Sequence, residues 1–219
     1  MFSGLRATMQ RVFRPLAAAL MRLGVSPDAV TIAGTVVVTA LALGLLPTGH
    51  LFLGALLIGV FALFDSLDGV LARMTGRSGP WGAFLDSTLD RVSDGAVFAG
   101  ITLFFVLRPD APYAAWGAGA ALACLVLGGV VPYARARAES VGADAHVGIA
   151  ERTDRLVIAL VPTGLVQLGL PVVVLVAVLG LLALASLVTV VQRIGAVHRQ
   201  LRSREAGLRT EGGVAGGEA

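Results

Sequence analysis

The sequence predicts an all-α integral membrane protein, with six transmembrane helices in three hairpins and an N-terminal amphipathic interfacial helix. Three observations predict it. The 219 residues are 56% hydrophobic and only 14% charged, with a mean hydropathy of +0.85, whereas soluble domains carry roughly 25% charged residues. Two charge-free runs are each too long for one crossing and are broken near the middle by Pro and Gly. All 17 basic residues are Arg, with no Lys, and all but Arg108 fall on one side of the spans this pattern lays out.

The elements follow in order. Residues 1–22 wind at about 100° per residue into a helix with Phe2, Leu5, Met9, Phe13, Leu16 and Leu20 on one face and Arg11, Arg14 and Arg22 opposite, which suits a helix lying on anionic lipid. Arg22 interrupts the apolar stretch, so no signal peptide is expected there. Between Asp28 and Asp65 lie 36 uncharged positions, about 54 Å of helix against a roughly 30 Å hydrocarbon core. This run must turn back once, and Leu46-Pro47-Thr48-Gly49-His50 supplies the turn. A third helix is expected from about Gly82 to Leu107 and a fourth from about Ala111 to Ala134, joined through Arg108-Pro109-Asp110-Ala111-Pro112. The stretch from Leu156 to Gln192 repeats the hairpin pattern around Gly169-Leu170-Pro171. The chain thus divides into an interfacial helix (1–22), a six-helix domain (23–198) and a basic, then Gly-rich tail (199–219) expected to be disordered.

The arginine bias is a positive-inside signal. It predicts a multi-pass protein of the inner (plasma) membrane with both termini and the two long polar connections in the cytoplasm. It also accounts for the basic residues through membrane lipids, with no nucleic-acid partner. The single cysteine, Cys124, lies in an apolar run and reads as a packing residue.

Four carboxylates stand where the second and third spans meet that cytoplasmic side. Asp65 and Asp68 form an i, i+3 pair, and Asp86 and Asp90 an i, i+4 pair, so each pair projects from one helix face. A charged group at membrane depth costs about 2.5–3.5 kcal/mol even on the lenient insertion scale. Four such groups need cations. Oxygen-only ligands favour a hard divalent ion, Mg2+ or Mn2+, and four carboxylates can hold two. Gly69 and Gly82 leave the backbone open to a phosphorylated ligand, and Arg73 can pair with it. An ion-coupled transporter is the alternative of another class, but such proteins place charges near the midplane and repeat them in both halves.

The segment Asp65-Ser66-Leu67-Asp68-Gly69-Val70-Leu71-Ala72-Arg73, followed by Gly82, Asp86 and Asp90, resembles the complete signature of the CDP-alcohol phosphotransferase family, D-x-x-D-G-x-x-A-R-x8-G-x-x-x-D-x-x-x-D. Eight fixed positions match over 26 residues. The resemblance implies transfer of a phosphatidyl or related group from a CDP-activated donor to an alcohol, with release of CMP. It implies Asp65, Asp68, Asp86 and Asp90 as metal ligands, Asp90 also as general base, and Gly69, Arg73, Ser78 and Gly82 at the CDP donor. Asp28 and Thr31, in Ser26-Pro27-Asp28-Ala29-Val30-Thr31, resemble the family's N-terminal element and are expected at the donor or as a helix cap. A homodimer is expected from the same resemblance.

The second cytoplasmic connection brings Arg135, Arg137, Arg152 and Arg155 to the side of the carboxylates, and Arg193 ends the sixth span beside them. Clustered guanidiniums repel one another unless an anion sits among them, which points to a phosphorylated acceptor. The stretches Tyr133–Glu139 and Ile149–Leu156 resemble the actinobacterial phosphatidylinositol phosphate synthase branch of the family. That branch implies CDP-diacylglycerol as donor, inositol 1-phosphate as acceptor, and Arg135, Arg155 and Arg193 on the acceptor phosphate. Arg135 stands where that branch is expected to carry Lys. Arg137 and Arg152 are expected to pair with Glu139, Glu151 or Asp154. The alternative within the family is a phosphatidylglycerophosphate synthase using glycerol 3-phosphate; Ser87 and Arg91 depart from its usual Pro and Lys at those positions.

Overall fold

A computed structural model describes residues 15–64, 66–76, 79–148 and 152–214. The described residues are helical with no strands: α1 (residues 15–22), α2 (Pro27–Leu45), α3 (Leu51–Phe64), α4 (Ser66–Thr75), α5 (Pro80–Val106), α6 (Ala114–Ser140), α7 (Arg152–Val166) and α8 (Val172–Val214). Most of the expected interfacial helix lies outside the described residues, and its 15–22 portion is helical. Pro27–Leu45, Ala114–Ser140 and Val172–Arg204 are long and apolar enough to cross a membrane, and Leu51–Ala62 is a shorter apolar helix.

The breaks fall where Pro and Gly put them. The α2–α3 turn holds Gly49 at φ 91°, and the α7–α8 turn holds Gly169 at φ 105°, both in the left-handed region open to glycine. Ser26 caps α2 by accepting from the Ala29 N–H at 3.2 Å, and Pro80 opens α5 at a position where no helical N–H is needed.

Helices pack in the pairs α2–α5, α5–α6, α6–α8, α3–α7, α2–α3 and α7–α8, and α4 lies against α2 and α3. With lipid outside as apolar as the interior, close van der Waals approach replaces hydrophobic drive. Gly100 shows how: a Cβ there would lie 2.3 Å from the Ala42 carbonyl oxygen, so only glycine lets α5 meet the α2 backbone. Phe98, Ile101 and Phe105 fill the core from α5, and Leu175 and Leu179 from α8. Cys124 is buried among them, its thiol 3.3 Å from the Leu179 carbonyl it donates to.

Two boundaries differ from the sequence reading. Helix α6 continues six residues past Ala134 to Ser140, because Arg135, Ala136, Arg137, Ala138 and Glu139 are strong helix formers. Helix α8 has no break near residue 198 and runs to Val214, so the segment from 199 begins as helix rather than as a disordered tail. Gln200 holds it to the α6–α7 loop, donating to the Asp144 carbonyl at 2.6 Å and accepting from the Asp144 N–H at 2.8 Å. Arg204 adds a bond of 2.7 Å to the Gly142 carbonyl.

Candidate active site

Asp86 and Asp90 stand one turn apart on α5, both half-buried. The Asp90 side chain is 15% exposed and its Oδ2 lies 3.7 Å from Arg91 Nη2. Asp68 lies on α4, while its side chain, Asp65 and Ser78 fall outside the described residues. Among the described residues no three His, Cys, Asp or Glu side chains form a metal cluster. The donor set still fits a hard divalent cation: carboxylates on α4 and α5, with no imidazole or thiolate at the signature positions.

Around the signature the backbone is open. The Arg73 guanidinium reaches back over Gly69, with Nη1 3.5 Å from where a Cβ would stand, and nothing lies within 4 Å of a Cβ at Gly82. Asp28 does not cap α2, a task Ser26 performs; its Oδ2 accepts from the Trp81 indole N–H at 3.0 Å, tying the start of α2 to the start of α5. Thr31 is buried, and its hydroxyl donates to the Pro27 carbonyl at 3.2 Å. Thr31 also lines a cavity of about 320 Å³ that Leu67 enters from α4, Ser93 and Val97 from α5, and Leu156 from α7. Its wall is apolar apart from Thr31, Thr35 and Ser93, so residues adjoining Asp68, Asp90 and Arg155 border one oily space.

The three arginines expected to share an anion do converge. Arg155 Nη1 donates to the Gly128 carbonyl at 3.4 Å, Arg193 Nη1 donates to the Val131 carbonyl, and Arg135 stands four residues further along α6. Positions 128, 131 and 135 share one helix face, and Arg193 is within electrostatic reach of both Arg135 and Arg155. Each is also held individually. Arg193 Nε donates to the Val147 carbonyl at 3.0 Å. Arg135 Nε donates to Glu139 Oε1 at 3.0 Å and its Nη2 to His146 Nε2. On its other side the His146 ring meets Asp144 Oδ1 through Nδ1 at 2.5 Å. These His146 contacts, from the ring first and the backbone N–H next, hold the Asp144 carboxyl below its ordinary 3.8.

Among the described residues Arg137 pairs with no acid; its Nη1 donates to Ser140 Oγ at 3.0 Å. Residues 135 and 139 are neighbours on a helix and 137 and 139 are not, so Arg135 takes Glu139. The Arg152 side chain lies outside the described residues. The sequence reading overlooked Asp94, whose Oδ2 accepts from Arg155 Nη2 at 3.0 Å with both side chains 4% exposed. Its signal was present: Asp94 extends the Asp86, Asp90 series by another four residues into an apolar helix, where a carboxylate needs a partner.

Residues 24–191 match the family described as CDP-alcohol phosphatidyltransferase. The chain is 43% identical over 220 residues to a phosphatidylinositol phosphate synthase of Streptomyces avermitilis, covering 98% of this chain and 89% of that protein. It is similar to the crystal structure of Mycobacterium tuberculosis phosphatidylinositol phosphate synthase (PgsA1) with CDP-DAG bound, at TM-score 0.80 and 42% identity, covering 85% of this chain and 94% of that one. The structure of that enzyme in complex with manganese and citrate gives TM-score 0.79 and 42% identity, covering 84% of this chain and 88% of that one. A complete eight-position signature in an all-helical chain, and a match over most of its length, make this multi-pass membrane enzyme a member of the CDP-alcohol phosphatidyltransferase family.

Proposed function

We propose that the chain transfers the phosphatidyl group of CDP-diacylglycerol to inositol 1-phosphate, giving phosphatidylinositol phosphate and CMP. The observation that carries this reading is the convergence of Arg135, Arg155 and Arg193 along one face of α6, with Arg155 joined to α5 four residues from Asp90. Three guanidiniums beside a carboxylate site suit an acceptor that brings its own phosphate. The names of the relatives agree with it.

In this reading Asp65, Asp68, Asp86 and Asp90 hold two Mg2+ or Mn2+ ions, which when bound neutralise the donor diphosphate and favour departure of CMP. Asp90 takes the proton of the attacking inositol hydroxyl as the new O–P bond forms and the diphosphate bridge breaks. Asp28, Thr31, Gly69, Arg73, Ser78 and Gly82 hold the donor, and the apolar cavity beneath them receives part of its lipid. Six spans, both termini and the site on the cytoplasmic face of the plasma membrane, and a homodimer complete the proposal.

The test follows CMP release from CDP-diacylglycerol by detergent-purified protein, with inositol 1-phosphate, glycerol 3-phosphate or free inositol offered in parallel. Turnover with inositol 1-phosphate alone, lowered by at least about 100-fold in Asp90→Asn, is the expected result. Preference for glycerol 3-phosphate would overturn the acceptor while keeping the chemistry. Solute flux without CMP would move the chain to a transport role.

A further inference from the structure

Charge on α5 continues past the signature. Asp94 lies one turn beyond Asp90, is 3% exposed, and meets Arg155 across 61 positions of sequence. Arg155 is in the first turn of α7, where the helix dipole is positive and works against a cation. A guanidinium buried there needs a carboxylate, and Asp94 supplies it.

A second contact fixes the same group. Pro132 sits inside α6 and has no N–H, so the Gly128 carbonyl loses its helical donor. Arg155 Nη1 occupies that carbonyl while Nη2 binds Asp94. A planar guanidinium held at two nitrogens has its plane set. Its third nitrogen, Nε, carries an N–H that is buried without a hydrogen-bond partner among the described residues. Arg91 completes the arrangement: its Nη2 lies 3.9 Å from Asp94 Oδ2 and 3.7 Å from Asp90 Oδ2. Its own Nε is also buried without a partner among the described residues.

We propose that Asp94, outside the signature, positions Arg155 so that its Nε–H faces the anionic group of the acceptor, and that Arg91 ties this pocket to Asp90. The proposal rests on reading Arg155 as an acceptor residue. Asp94 touches neither substrate; it acts through Arg155. A purely structural α5–α7 ion pair would alter stability and leave substrate affinities alone, which separates the two roles.

The experiment measures steady-state CMP release by the full chain in detergent, with inositol 1-phosphate and CDP-diacylglycerol varied in turn, and thermal unfolding alongside. Asp94→Asn should raise the acceptor KM about tenfold or more, the size of losing a charged hydrogen bond's orienting effect. Donor KM and kcat should stay within about twofold. Pro132→Ala gives the Gly128 carbonyl its helical donor back, and should raise the acceptor KM about threefold without loss of folding. Arg155→Gln is the reference. If it raises the acceptor KM and folded Asp94→Asn does not, the proposal is overturned alone. If Arg155→Gln itself leaves that KM unchanged, the acceptor reading falls and the proposal with it. Should Asp94→Asn not fold, Asp94→Glu and Pro132→Ala decide, and an unmoved acceptor KM in both overturns the proposal.

Discussion

Arg108 and Arg155 stand at opposite ends of the bundle and are satisfied in opposite ways. Arg108 lies just past the C-terminus of α5, and its Nη1 donates to the Phe104 carbonyl at 3.0 Å and to the Pro47 carbonyl beyond α2 at 2.9 Å. Its guanidinium also lies 4.5 Å from the centre of the Phe104 ring. Two helix C-termini, each a negative dipole end with spare carbonyls, answer one cation, with no acid among the described residues paired to it. Arg155, in the first turn of α7, instead pairs with Asp94, and its buried Nε–H has no hydrogen-bond partner among the described residues. An arginine satisfied by backbone staples a turn; one that needs a carboxylate and retains a free donor suits the ligand-binding role proposed for Arg155.

Substitutions can break this contrast. The largest effect is expected for Arg155→Gln, which should lower kcat/KM for inositol 1-phosphate by about 100-fold, because in the proposed function it removes a buried charged contact to the acceptor. Arg108→Ala in the same assay should keep activity per folded molecule within about twofold and lose about 2 kcal/mol of stability, read from unfolding in detergent. Equal losses of activity from both would erase the distinction. Gly49→Ala sharpens the staple, since it puts a side chain at φ 91° with its Cβ 2.6 Å from Arg108 Nη2. About 1 kcal/mol of destabilisation is expected, and none once Arg108 is already Ala apart from the backbone strain.

A smaller effect concerns the loop that Arg135 touches. Because the Asp144 carboxyl is held below its ordinary 3.8 in the fold, its contribution is present above that pH and is lost as pH falls through the depressed value. Comparing Asp144→Asn with the parent by thermal unfolding should give a small gap at pH 6 that narrows as pH falls below the ordinary 3.8. A gap that widens on acidification would contradict the pairing with His146.

Much of the fold was legible because helices in a membrane answer to short-range rules. Turns at Pro47-Thr48-Gly49 and Gly169-Leu170-Pro171 end helices wherever they occur, and the eight-position signature is confined to 26 residues. The end of α6 was misjudged because charged residues mark a membrane boundary without ending a helix, and Arg135 to Glu139 favour helix on either side of it. Asp94 was missed because the i, i+4 series that carries it names no partner, and Arg155 lies 61 positions away.

By itself the sequence determined an apolar, repeatedly folded-back chain, the asymmetric placement of its arginines, and the carboxylate signature with the chemistry those residues permit. Only the tertiary structure decided that Trp81 binds Asp28, that Arg155 takes Asp94 and the carbonyl freed by Pro132, and that Arg108 closes two helix ends. The reason is one of range. Helix limits depend on bonds four residues apart, whereas these contacts join residues 27 to 61 positions apart and exist only once close packing, as at Gly100, has set the distance and rotation between helices.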